Sequence, residues 1–126
     1  MGMFTNTEAF VSFAVPDVDE ARRFYGETLG LKTSDGSEGV LVLHIEGSRD
    51  VLVYPKPDHA PATYTILNFP VEDIEQAVDA LAEKGVTFER YEGFDQDERG
   101  IMRGGGPLIA WFRDPAGNIL SVVKVD

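Results

Sequence analysis

His44 and Glu46 stand two residues apart in the run Val42-Leu43-His44-Ile45-Glu46, so on an extended strand they share a face. An imidazole beside a carboxylate is a general-base or ligand pair. Whether that face looks into a site depends on the turn at Gly47-Ser48, because tight turns of several lengths fit these residues. The other histidine, His59, adjoins Asp58 in a proline-rich stretch and reads as a solvated linker residue. Arg99-Gly100-Ile101-Met102-Arg103-Gly104-Gly105-Gly106-Pro107 looks like a phosphate loop only on the surface, since no Lys-Ser/Thr follows and a strand comes next. It reads either as a lid that lays Met102 and Arg103 over a site or as a long hairpin connection. The acidic stretch 92–98 before it reads as a solvated charge run, or as an attractor for a cation.

Composition bounds the chemistry further. A chain of 126 residues and 13.9 kDa is about one domain, and 43% hydrophobic residues are enough for a packed core. The 22 acidic against 11 basic residues give a net charge of -11, which repels nucleic acid and anionic membranes. That charge favours cationic ligands and also serves solubility. Without cysteine there is no disulfide, thiolate metal site or cysteine nucleophile. No basic stretch followed by an apolar run opens the chain, and no window reaches the length of a membrane span, so a cytoplasmic location is expected.

The elements that must carry these residues are written twice. Phe13, Val15, Asp17, Ala21 and Glu27 recur as Phe69, Val71, Asp73, Ala77 and Glu83, a constant 56 residues on. Each copy reads as a strand running into a helix, with Asp17/Glu20 and Asp73/Gln76 at capping-box spacing. The first helix is predicted over 18–29, with Gly30 as its stop, and the second runs from 74 to a stop at Gly85. Strands are predicted over 9–15, 31–33, 39–45, 50–54, 64–69, 86–90, 108–113 and 119–125. Pro55, Pro57 and Pro61 make the connection at 55–61 stiff. Asp114-Pro115-Ala116-Gly117-Asn118 closes the last hairpin.

Val15-Pro16-Asp17, Phe24-Tyr25, Leu29-Gly30-Leu31 and the closing Trp111-Phe112-Arg113-Asp114-Pro115-Ala116-Gly117-Asn118 resemble the vicinal oxygen chelate superfamily. This is the group of glyoxalase I, bleomycin-resistance proteins and extradiol dioxygenases. The resemblance spans residues 9–124 and implies an α+β fold of two tandem βαβββ modules whose curved mixed sheet surrounds a shared cleft. It implies a single domain over 1–126, with module one at about 8–55 and module two at about 62–126. It also implies a homodimer. Function varies widely across the group and does not follow from the fold.

Catalytic members hold a divalent metal with His, Gln or Glu from the first and last strands of each module. Transferred by resemblance, the first-strand positions are Phe10 and Ile66, and the last-strand position of module two is Ser121. Aligning Asp50-Val51-Leu52-Val53 with Asn118-Ile119-Leu120-Ser121 makes Val53 the fourth. A divalent ion needs about three protein donors, and this set offers at most one hydroxyl, so no metal and no cofactor is expected. Strand alternation then adds Ser12, Ala14, Asn68, Ile119 and Val123 to the cleft, and a Trp111/Ser121 pairing adds Trp111. The resulting pocket is apolar, with Trp111 as an aromatic wall and Ser12, Asn68 and Ser121 as polar groups, and with Arg103 above it on the lid reading.

Three functions fit this residue set. The first is metal-independent binding of a small organic ligand, cationic or aromatic in character, by Phe10, Ser12, Val53, Ile66, Asn68, Trp111, Ser121 and Arg103. The second is a glyoxalase-like lyase or dioxygenase-type enzyme that uses His44 as base, or unusual ligands such as His44, Glu46 and Glu92. The third is a non-catalytic structural module whose cleft is filled by its own side chains. The first fits the residues with the fewest added assumptions.

Overall fold

The computed structural model describes residues 2–125. The chain forms two compact units, Met1–His59 and Ala60–Asp126, and the break falls inside the proline-rich connection. The first contains β1 (Ser12–Val15), α1 (Val18–Arg23), β2 (Lys32–Asp35), β3 (Leu41–His44) and β4 (Val51–Pro55). Its sheet has the order β1-β4-β3-β2, with β1 parallel to β4 and the other pairs antiparallel. The second contains β5 (Thr65–Val71), α2 (Ile74–Glu83), β6 (Ile109–Arg113) and β7 (Ile119–Lys124) in the order β5-β7-β6, with β5 parallel to β7. The architecture is mixed α+β, with one small sheet and one principal helix per unit.

The repeated residues do the same work in both copies. Asp17 and Asp73 cap α1 and α2 from nearly identical backbone conformations, accepting hydrogen bonds from Glu20 N (3.2 Å) and Gln76 N (3.1 Å). Such a cap satisfies one of the donors that every helix start leaves open. Alternation in the strands then separates two faces. In the first unit Phe13, Val15, Leu41, Leu43, Val51 and Val53 are buried on one side, where Tyr25 meets Phe13 ring to ring at 5.7 Å. In the second unit Ala110, Phe112, Leu120 and Val122 form the matching layer, with Ile74 and Val78 of α2 buried in the same unit. Each fully buried branched or aromatic side chain contributes roughly 1.5–3 kcal/mol through the hydrophobic effect.

Three elements differ from the sequence expectation. The predicted helix over 18–29 is α-helical only to Arg23, and Phe24–Thr28 is a π-helical turn closed by Leu29 N donating to Phe24 O at 2.9 Å. The widened turn seats Tyr25 fully out of solvent, which a uniform 3.6-residue count does not anticipate. The predicted strand over 86–90 is reduced to a single bridge between Phe88 and Phe112, because the chain turns away at residues 91–94. Finally, β5 continues through Pro70, tolerable because β5 is a sheet edge where a missing N–H leaves no ladder bond unmade.

One turn is built twice in the second unit. Asp114 N donates to Asn118 O and Gly117 N to Asp114 O, both at 3.0 Å, while Asp114 Oδ1 accepts from Ala116 N and Asn118 N. Asp97 repeats this plan. Its N donates to Ile101 O, Gly100 N donates to Asp97 O, and its Oδ1 accepts from Arg99 N and Ile101 N. Gly117 and Gly100 occupy the same left-handed position, at φ 89° and 91°. The closing hairpin is legible from its Pro and Gly, whereas the Asp97 turn lacks proline and is hidden in a run of charges.

Candidate functional site

In the first unit, strand register settles which side chains share the face turned away from Tyr25. Ser34, Val42, Leu52 and Ser12 form one row across the four strands. Tyr54 stands beside Ala14 on the same face. Val53 does not belong to it. Val53 pairs with Phe13 and Leu41 in the core and is fully buried, and Leu52 takes the place expected of it. The reason is a one-residue slip. Asn68, the repeat of Ser12, pairs with Ser121, whereas Ser12 itself pairs with Leu52, so the two last strands are offset by one relative to their flanking sequences. A shift of one residue exchanges the faces of a strand.

Phe10 precedes β1 and is 62% exposed. With Leu52, Ser48, Arg49 and Asp50 it lines a cavity of about 330 Å³ within this unit. Phe10 and Leu52 supply apolar wall, while Arg49 at the rim pairs with Glu8 at 2.6 Å. The neighbouring position on the face belongs to His44, which stands opposite Lys32 in the β2–β3 register. Its partner is not Glu46, which lies beyond the end of β3. His44 Nδ1 lies 3.0 Å from Asp50 Oδ1, and Nε2 lies 2.7 Å from Ser34 Oγ. The sequence reading missed Ser34, Leu52, Arg49 and Asp50. Only the pairing of three strands brings them to His44 and Phe10.

In the second unit Asn68, Ser121 and Trp111 fall in one row across β5, β7 and β6. Ser121 is fully buried and its hydroxyl donates to Asn68 Oδ1. Trp111 is half-buried and caught in an aromatic triad, 5.4 Å from Tyr91 and 5.5 Å from Phe94 between ring centroids. Burial and the nearby Glu89 carboxylate push the Tyr91 phenol above its ordinary range, against the opposing pull of Arg113. Ile66 is the extra residue where the β5–β7 register shifts between Thr65 and Leu67, so simple alternation does not apply to it.

Arg103 is engaged elsewhere. Its Nε donates to Asp97 Oδ2 at 2.7 Å and its Nη2 to Glu75 of α2 at 3.2 Å, while Arg99 pairs with Asp79 of the same helix. These bonds tie Arg99 and Arg103 to α2. Ile101 is fully buried, and Met102 bridges Gln96 and Ile109. Gln96 fastens the same loop through Tyr91 N, Glu89 O and Gly100 O. Arg103 is tied to α2, whereas Met102, paired with Ile109, falls on the face of β6 that carries Trp111.

The residues to which the resemblance assigns a divalent metal do not fit one here. Phe10, Val53 and Ile66 are hydrocarbon, and the Ser121 hydroxyl is committed to Asn68. Among the described residues, no three or more His, Asp or Glu side chains are grouped to hold a metal ion. No described helix is long and apolar enough to cross a membrane.

Comparison with solved structures shows the fold repeated across bacteria. A glyoxalase/bleomycin resistance protein/dioxygenase superfamily member from Sphaerobacter thermophilus DSM 20745 is similar at a TM-score of 0.71 and 23% identity, covering 98% of this chain and 100% of that one. An antibiotic binding protein from Streptomyces sp. CB03234 gives a TM-score of 0.75 at 22% identity, covering 99% and 100%. A glyoxalase/bleomycin resistance protein from the same Streptomyces strain gives 0.67 at 24%, covering 93% and 99%. A comparison with curated protein sequences found no match. The family model for the Glyoxalase/Bleomycin resistance protein/Dioxygenase superfamily matches residues 9–122, and with the doubled strand–helix plan, the twin Asp caps and the closing Asp114–Asn118 hairpin, the chain belongs to that superfamily.

Proposed function

We propose that this protein binds a small organic molecule without a metal. The observation that carries the reading is the cavity of about 330 Å³ in the first unit, lined by Phe10, the residue that the resemblance puts at a metal-ligand position. A space of that size, walled by Phe10 and Leu52 and flanked by Asp50 and Arg49, suits a compact ligand with an apolar body and a charged group. The net charge of -11 favours a cationic one. The antibiotic-binding protein of the same fold supports a binding role. Trp111, Asn68 and Ser121 are proposed as a second set of ligand contacts. The chain is proposed to work in the cytoplasm as a homodimer, for which the exposed Met3, Phe4 and Val11 offer apolar surface. Light scattering should then report twice the chain mass of 13.9 kDa.

Chelator-treated protein should be titrated calorimetrically with Zn²⁺, Ni²⁺, Mn²⁺ and Fe²⁺, and separately with bleomycin and acridine dyes as cationic aromatic probes. The expected result is no metal binding, together with a saturable organic ligand whose affinity falls at least tenfold in Phe10→Asp. One-to-one metal binding at micromolar or tighter affinity overturns metal independence. Organic binding that Phe10→Asp leaves intact overturns the placement of the site.

A further inference from the structure

We propose that Ser34, His44 and Asp50 form a nucleophile–base–carboxylate relay that transfers the acyl group of small carboxylic esters to water. The relay stands on its own geometry and does not require the binding role proposed above. His44 is held from both sides, with Nδ1 3.0 Å from Asp50 Oδ1 and Nε2 2.7 Å from Ser34 Oγ. An ionised carboxylate can only accept, so Nδ1 carries the proton. In the neutral ring Nε2 is then a lone pair, and the Ser34 hydroxyl must donate to it. This is the tautomer and polarity that a serine nucleophile requires, with the carboxylate as the positioning group behind the base.

The fold explains how three separated residues meet. Leu43 pairs with Val51, so the next step along the ladder sets His44 across from Asp50. Lys32 pairs with His44, and Ser34 stands one side-chain repeat further along β2 on the same face. The site is open to solutes, since the His44 and Asp50 side chains keep 35% and 54% of their exposure. Asp50 also lines the cavity of Phe10 and Leu52, giving an apolar acyl or alcohol group a place next to the relay. Lys32, opposite His44, brings a cationic side chain to this corner, where it can stabilise the oxyanion of a tetrahedral intermediate.

The chemistry balances without any further reagent than water. Ser34 Oγ adds to the ester carbonyl carbon as its proton passes to His44 Nε2. The carbon–oxygen bond to the alcohol then breaks, and Nε2 returns the proton to the departing alkoxide. Water next adds to the acyl carbon and gives a proton to Nε2. The bond to Ser34 Oγ breaks, Oγ recovers that proton, and the carboxylic acid leaves.

Covalent labelling tests the relay more sharply than turnover, because an isolated imidazole also cleaves activated esters. The full chain is treated with an alkyl fluorophosphonate, and adducts are mapped by peptide mass spectrometry. Ser12 is an internal control, being an exposed serine in the same row of the same face with no histidine bonded to it. The expected result is an adduct on Ser34 and none on Ser12, formed at least roughly a hundredfold more slowly in His44→Gln, as loss of a general base implies. Asp50→Asn should slow labelling as well. No adduct, or equal labelling of Ser12 and Ser34, overturns the proposal. If His44→Gln fails to fold by circular dichroism, the Ser34-to-Ser12 labelling ratio in the unaltered chain decides it.

Discussion

Asp97 and Asp114 show how much one carboxylate organises. Asp114 is 4% exposed and accepts from two backbone amides and from Asn118 Nδ2 at 3.0 Å. Asp114→Ala leaves buried donors without acceptors and should cost roughly 2–4 kcal/mol in urea denaturation. A loss under about 0.5 kcal/mol would mean that water replaces the carboxylate freely. Burial pushes the Asp97 carboxyl upward, but hydrogen bonds from Arg103 and from the amides of Ile101 and Arg99 outweigh it and hold the group below the ordinary carboxylate range. The folded value therefore lies below the unfolded one. The stabilisation is complete above the ordinary carboxylate range and is lost as pH falls through the depressed folded value. Asp97→Asn should weaken the protein at neutral pH and flatten its acid-side loss of stability, and parallel stability–pH curves for the two proteins would contradict this account. At this scale the Asp114 turn was readable because proline and glycine mark it. The Asp97 turn was not, because Glu98 and Arg99 carry no turn signal of their own.

At the scale of elements, the two helices begin alike and end differently. Asp17→Ala and Asp73→Ala should each cost about 1 kcal/mol, the usual worth of an N-cap, measurable by thermal unfolding. A cost confined to one of them would show that the other helix is held by packing alone. The matching turns predict a second pair of equal effects. A Cβ on Gly117 would lie 3.2 Å from Pro61 Cγ, and one on Gly100 would lie 3.1 Å from Phe88 Cβ, both on left-handed backbone. Gly117→Ala and Gly100→Ala should each destabilise by roughly 1–3 kcal/mol, combining backbone strain with the contact. Stability unchanged in Gly100→Ala would mean that its turn relaxes without loss. The caps and strands were legible because capping, alternation and turn chemistry are local. The π-helical turn at Phe24–Thr28 was not, because its extra residue is set by how Tyr25 packs against Phe13.

For the whole molecule, the repeated Phe-x-Val-x-Asp element predicts two units of one plan, and the chain divides inside its proline-rich connection. The acidic surface acts on any cationic ligand through a field that salt screens over about 10 Å at 0.1 M. Affinity for an acridine dye should therefore fall severalfold between low salt and a few tenths molar NaCl, as followed by fluorescence titration. A salt-independent affinity would assign recognition to contact surface alone.

Sequence by itself determined the class of fold, the duplicated strand–helix starts, both caps, the closing hairpin with Trp111 opposite Ser121, and the hydrocarbon character of Phe10 and Ile66. The caps, the hairpin and the hydrocarbon positions follow from signals carried within a few residues, while the fold class follows from the 56-residue repeat and the family resemblance. Tertiary structure decided which faces the strands present. It buried Val53 and raised Leu52 in its place, tied Arg103 to Asp97 and Glu75, and gave His44 the partners Ser34 and Asp50 instead of Glu46. The physical reason is the two-residue period of a strand. One residue of difference in register between distant segments turns every side chain to the other face, and only the assembled ladder sets that register.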